Sequence, residues 1–205
     1  MKKKIFSFMM ALFAIIGAVN AQVEVQVGYG ITSSEYLPSY SYYYYSLSEQ
    51  IYTAEEIGTT GTIQKIAFYN SGQTKTRNYT MYVSLTSKSS FSSTTDWIVP
   101  NSSDEVFNGT VTMTADEWTY ITLSTPIEFD GTQNLLIIMD DNTNGFSQGM
   151  SCRTFSGPSR SLFIYDDFTD FDPFNMTVAG YCYNEHNQLM LDMAPEATQI
   201  TVNPD

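Results

Sequence analysis

Cations are scarce in this chain. Nine Lys and Arg stand against 22 Asp and Glu among 205 residues, a formal net charge of −13, and three of the nine cations are Lys2, Lys3 and Lys4. Neutralising a phosphate backbone needs Lys and Arg, so the composition argues against nucleic acid as a partner. It disfavours anionic lipid surfaces for the same reason. Histidine occurs once, at His186. A Ser/His/Asp site would have to be built on it, no Gly-x-Ser-x-Gly elbow occurs, and Asn184-Glu185-His186-Asn187 reads as an exposed loop. One His and two distant Cys offer no ligand pair at zinc spacing. A Lys-bearing phosphate loop and a dinucleotide fingerprint are also missing. After the N-terminal stretch, no apolar run approaches the roughly 18 residues of a membrane span.

What is present begins with that N-terminal stretch. Behind the three lysines runs Ile5 to Val19, almost wholly apolar, followed by Val19-Asn20-Ala21 with small residues where a signal peptidase reads. Residues 1–21 are therefore expected to be a cleaved secretory signal peptide. The remainder, with six cations against 22 anions, carries a net charge of −16. It is expected to be secreted or held at the cell surface, with no membrane span in the mature chain. An oxidising compartment would allow Cys152 and Cys182 to pair; the other reading is two small apolar side chains on different strands.

Ser and Thr number 46, and aromatic residues make up 15% of the chain. This composition favours strands. Tyr79 to Thr86 alternates with period two, Tyr79, Met81, Val83 and Leu85 on one face. Val23–Val27, Ile63–Tyr69, Glu105–Met113, Trp118–Leu123 and Gln188–Met193 alternate similarly, and Ser161–Tyr165 and Gln199–Val202 add two more. Leu135-Leu136-Ile137-Ile138-Met139 is apolar without a break, as for a strand covered on both faces. Turn chemistry falls at Asn70-Ser71-Gly72, Asn108-Gly109, Asp130-Gly131, Asn144-Gly145 and Ser156-Gly157-Pro158. The one helical turn is Thr53 to Gly58, with Thr53 and Glu56 forming a capping box and Gly58 ending it. The expected fold is all-β, an antiparallel, jelly-roll-like β-sandwich with very little helix over residues 22–194. Residues 195–205 read as a linker or a last edge strand.

Three stretches, taken in order, carry a resemblance. They are Tyr45 to Gly58 leading to Gly61-Thr62-Ile63, then Phe91 to Val99 with Asp96-Trp97, then Trp118 through Pro126 to Leu135 and on to Asp140-Asp141-Asn142-Thr143. This order resembles the β-sandwich adhesin and haemagglutinin modules attached to gingipain-type proteases, found in exported surface proteins of gut and oral anaerobic bacteria. The resemblance covers roughly residues 36–193. It implies a binding role and transfers no catalytic residue.

Several constellations could carry chemistry. Tyr42, Tyr43, Tyr44 and Tyr45 on a strand would put one pair in the core and leave the other as an exposed platform for sugar rings or a protein; the alternative is that both pairs pack under loops. Asp140, Asn142 and Asn144, followed by Gly145, match the first half of an oxygen-rich calcium loop. Such clusters are also ordinary turn formers. Asp166 and Asp170 belong to a second acidic loop whose repulsion either a cation or solvent would relieve. A structural calcium is the one cofactor these loops would admit. Glu24, Glu105, Glu117 and Glu128 are the carboxylates on strand-like segments from which a glycosidase pair could be drawn.

The sequence is thus expected to encode an exported, non-catalytic binding or adhesion module that recognises carbohydrate or a host or cell-surface protein. A small jelly-roll glycoside hydrolase and a structural subunit of a surface assembly are the other two readings.

Overall fold

The computed structural model describes residues 22–195. Residues 1–21, expected to be a signal peptide, and residues 196–205, with the expected strand Gln199–Val202, lie outside the described residues. Eleven strands and one short helix follow in order. They are β1 (Val23–Val27), β2 (Ser33–Ser34), β3 (Tyr45–Tyr52), α1 (Ala54–Ile57), β4 (Gly61–Asn70), β5 (Lys75–Thr86), β6 (Glu105–Met113), β7 (Glu117–Phe129), β8 (Asn134–Asp141), β9 (Cys152–Asp166), β10 (Tyr181–Asn187) and β11 (Leu189–Ala194). Every pairing is antiparallel.

The strands build two layers. One runs β1-β11-β4-β7 and the other β10-β9-β3-β8-β5-β6. β9 belongs to both, because Cys152 pairs with Asn70 of β4 while Ser161 to Asp166 pair with β3. Between the layers lies the main core, where Ile63, Ile66, Phe68, Ile121 and Leu191 meet Tyr79, Met81, Val83, Ile137 and Met139. The inward set of β5 is the set its alternation predicts. A second core covers the outer face of the β3-β8-β5 layer, with Leu47, Ile51, Leu136, Ile138, Leu162 and Ile164 beneath Phe91, Trp97 and Phe171. The unbroken apolar run of β8 follows from this: alternate residues feed two cores.

Helix α1 forms as its caps dictate. The Thr53 hydroxyl accepts from Glu56 N, the Glu56 carboxylate accepts from Thr53 N, and Gly58 closes the turn at φ 68°. Two turn signals behave differently. Asn108-Gly109 lies inside β6, opposite Thr80 and Tyr79, because pairing along all of β6 outweighs the local preference. Ser156-Gly157-Pro158 sits within β9, where the register jumps between Ser156 and Ser161. It forms a bulge, not a chain reversal.

Candidate functional site

Alternation on β9 and β10 exposes an aromatic face. Leu162, Ile164 and Cys182 pack into the outer core, so Phe163, Tyr165, Tyr181 and Tyr183 point the other way. Segment 35–44 lies over that face and adds Tyr36, Tyr40, Tyr42 and Tyr43. Polar side chains from the strands pin it there. Ser48 donates to Pro38 O at 2.6 Å, Tyr40 N donates to the Ser46 hydroxyl at 3.0 Å, and the hydroxyls of Ser39 and Tyr79 meet at 2.7 Å. Asn187, buried on β10, exchanges two hydrogen bonds with Gln50 and donates to Leu37 O. A loop over a sheet must satisfy its own backbone groups, and these buried serines and amides do so.

The rings form a continuous strip. Tyr181 stacks on Tyr165 at 5.5 Å and 11°, Tyr165 meets Tyr40 edge-on at 4.8 Å, Tyr40 lies 6.1 Å from Tyr42, and Tyr42 lies 6.0 Å from Phe146. Tyr36 stacks on Phe163 at 5.3 Å beside it. The strip is wet at both ends, with Tyr181 at 52%, Tyr42 at 45% and Phe146 at 59% exposure. Two clefts flank it. One, about 380 Å³, is lined by Tyr36, Phe163, Tyr165, Tyr181, Cys182 and Tyr183. The other, about 400 Å³, has Tyr40 and Tyr42 as its aromatic wall and Glu35, Ser41, Gln73 and Gln148 as its polar one. Burial and the Glu35 carboxylate push the Tyr40 phenol up to about 12, and burial with a hydrogen bond to Tyr181 does the same to Tyr165. Both hydroxyls stay protonated and able to donate.

The expected alternation of Tyr42 to Tyr45 on a strand is corrected. Tyr42, Tyr43 and Tyr44 lie in the turn before β3, and Tyr45 is the first residue of that strand. The turn forms because Tyr43 N bonds Tyr40 O and Arg77 holds Tyr43 O at 3.1 Å. Tyr42 and Tyr44 are exposed, while Tyr43 lies 4.3 Å from Tyr165.

Of the calcium-like residues, Asp140 and Asn142 come together through Asn142 Nδ2 to Asp140 Oδ2 at 2.9 Å. Asn144 is exposed at φ 52°, its N bonded to Tyr44 O. Asp140 faces the outer core and is buried, which lifts its carboxyl to about 7, with Asp170, Asp141 and Asp172 adding to the rise. The cation inside this loop is a guanidinium: Arg77 Nε donates to Asp141 Oδ2 at 2.8 Å and Nη1 to Gly145 O. Asp166 turns its own loop by accepting from Phe168 N and Thr169 N. Asp170 is raised by burial. Among the described residues, no three His, Cys, Asp or Glu converge as a metal site.

A disulfide between Cys152 and Cys182 is not formed; both thiols are free. Cys152 enters the main core at the start of β9, whereas Cys182 packs on the outer core opposite Leu162, ten positions further along that strand. Burial pushes the Cys152 thiol up to about 12. His186 is likewise corrected. It is on β10 and fully buried, 3.9 Å from the Phe155 ring and 3.6 Å from Glu56 Oε1, because strand pairing with Phe155 turns it inward. Burial pulls its pKa down to about 4, Arg160 adding to the fall and Glu56 opposing it.

The four glutamates drawn up for a glycosidase are all exposed and line none of the clefts described. Glu24 accepts from the Tyr120 hydroxyl and Glu128 from Thr62, while Glu105 and Glu117 open β6 and β7. Sequence reasoning missed Glu49, which is fully buried on β3 beneath Ile98 and accepts its N–H with both carboxylate oxygens. It also missed Phe163, Tyr165, Tyr181 and Tyr183. The i, i+2 spacing of aromatics on either side of Ile164 and Cys182 was the signal available.

No helix among the described residues is long and apolar enough to cross a membrane. No protein-family model matches the chain, and neither a curated protein nor a solved structure matches it.

Proposed function

We propose that the protein is an exported, non-catalytic binding module of adhesin type that recognises carbohydrate through the aromatic strip from Tyr181 to Tyr42. The observation that carries the reading is the composition of this face. It is built of tyrosines, which join flat apolar rings to polar hydroxyls, carried on β9 and β10 and on a loop held by buried polar pins. Large exposed aromatic patches mark interaction sites. A protein core partner would be matched by aliphatic side chains; Tyr, Ser, Gln and Glu suit a ligand that is apolar on its ring faces and hydroxylated at its edges. Stacked rings also bind single-stranded nucleic acid, but that requires cations along the groove, and no Lys or Arg lines either cleft.

The motif order that resembles gingipain-associated adhesin modules agrees with this reading. Against a hydrolase stands the placement of Glu24, Glu105, Glu117 and Glu128, exposed and apart from the clefts, and of Glu49, sealed under Ile98. Among the described residues, Glu35 is the one carboxylate lining either cleft, where a retaining or inverting pair needs two. The test is a glycan array probed with the folded protein and with Tyr165→Ala and Tyr181→Ala. The reading expects glycan binding that both variants lose without a change in melting temperature. An empty array, or binding indifferent to both substitutions, contradicts it.

A further inference from the structure

Resting on that reading, we infer that the ligand is an uncharged, linear oligosaccharide longer than a disaccharide, which lies along the strip and inserts one sugar into the Glu35, Gln73 and Gln148 cleft. Three observations lead there. The first is continuity. Tyr181, Tyr165, Tyr40, Tyr42 and Phe146 follow one another at centroid steps between 4.8 and 6.1 Å with both ends exposed, so the surface repeats over several sugar rings and is open where a chain would enter and leave. A single sugar would occupy a fraction of it.

The second is the change of chemistry along the strip. The cleft at the Tyr181 end is lined by aromatic side chains and Cys182, which contact ring faces and discriminate little. At the Tyr40 and Tyr42 end, Ser41, Gln73, Gln148 and Glu35 gather in one cleft. Amide and carboxylate groups accept from and donate to neighbouring hydroxyls, which fixes the orientation of one unit. Gln73 is partly pre-oriented, because Lys75 Nζ donates to its Oε1 at 3.1 Å. Its amide nitrogen is thereby directed as a donor.

The third is charge. Glu35 lies close enough to Tyr40, and Glu185 to Tyr183, to raise those phenols, so both halves of the strip carry negative potential. No Lys, Arg or His lines either cleft, and Lys75 Nζ is bonded to Gln73 Oε1 at 3.1 Å. A carboxylated or sulfated glycan would meet like charge. A neutral one would not.

Titration calorimetry with neutral xylo-, cello- and malto-oligosaccharides, each from the monosaccharide to the hexasaccharide, and with oligogalacturonates and heparin fragments tests the inference. Expected is one neutral series in which the hexasaccharide binds at least about tenfold tighter than the disaccharide, no heat with the anionic series, and weakening of the longer ligands by both Tyr181→Ala and the Gln73→Ala/Gln148→Ala pair. Binding that Tyr181→Ala abolishes, yet that is equal for short and long chains or unaffected by the glutamine pair, overturns this inference and leaves the carbohydrate reading standing. Tighter binding of an anionic series also overturns it. Folded protein that gives no heat with either kind of sugar removes both.

Discussion

Arg77 and Asp141 meet at 2.8 Å with both side chains out of solvent. The same guanidinium donates to Gly145 O and Tyr43 O, so one cation ties β5 to the end of β8, to the loop after it, and to the tyrosine turn. Burial pushes the Asp141 carboxyl up and the guanidinium pulls against it. A buried pair of this kind contributes little against an apolar pair but is costly to break singly. Arg77→Met strands the Asp141 charge and is expected to cost about 3–5 kcal/mol, read as a fall in the urea midpoint. Because it also releases Tyr43 O, ligand binding should weaken in whatever fraction stays folded.

Within the Asp140 to Gly145 loop, Asp141 and the Gly145 carbonyl already bond this guanidinium, and Asp140 accepts from Asn142 Nδ2. Melting after EDTA treatment and again in millimolar calcium is therefore expected to give one temperature, since an ion bound to the native state would raise it by mass action. A calcium-dependent rise would return the Asp140 to Gly145 loop, or Asp166 with Asp170, to the list of ion sites.

Burial lifts Glu49 to about 8, with Ile98 N and Lys88 opposing the rise and Asp96 adding to it, and Asp140 to about 7. A carboxyl with a raised folded pKa binds its proton more tightly in the folded state. Its effect is a loss of stability as pH climbs from the ordinary carboxylate range up to that folded value. His186 acts in the opposite sense: held neutral at about 4, it costs stability as pH falls from about 6.5 towards 4. Between pH 6.5 and about 7 both carboxyls act without it, and from about 7 to 8 Glu49 continues after the Asp140 contribution has ended. There the unfolding free energy is expected to fall with pH by up to about 1.4 kcal/mol per unit for each fully coupled proton. Glu49→Gln keeps an acceptor for Ile98 N and should flatten the slope. An unchanged slope in that variant would contradict the assignment.

With Cys152 in one core and Cys182 against the other, two thiols should titrate in denatured protein purified without reductant. Adding reductant should leave the melting temperature where it is. In the folded protein, Cys182, only half-buried against the outer core, should alkylate faster than the buried Cys152.

Much of the fold is legible in the residues because period two survives wherever one face is wet. β1, β5 and β6 fall where alternation puts them, and β8 is betrayed by its unbroken apolar run. β3 and β10 are harder to see. Tyr45 to Tyr52 buries Ser46, Ser48, Glu49 and Gln50, and β10 buries His186 and Asn187, so polar residues sit where a core pattern calls for apolar ones. The burial of Ser48, Glu49, Gln50 and Asn187 is supported by partners elsewhere in the chain, Pro38 O, Ile98 N and the Gln50 to Asn187 exchange, whereas the His186 ring nitrogens are buried without a hydrogen-bond partner. The tyrosine run signalled an aromatic surface, yet Phe163, Tyr165, Tyr181 and Tyr183, more than a hundred positions away, pack with it through segment 35–44.

The rings from Tyr181 to Tyr42 are proposed to form one ligand-bearing surface. The most direct measurement is 19F NMR of protein carrying fluorotyrosine, titrated with the tightest-binding neutral oligosaccharide. Shift changes are expected to be confined to Tyr36, Tyr40, Tyr42, Tyr43, Tyr165, Tyr181 and Tyr183, with Tyr52, Tyr79 and Tyr120 unmoved. Changes centred on Tyr120 or Tyr69, on the opposite layer, or no change at saturating sugar, would contradict it.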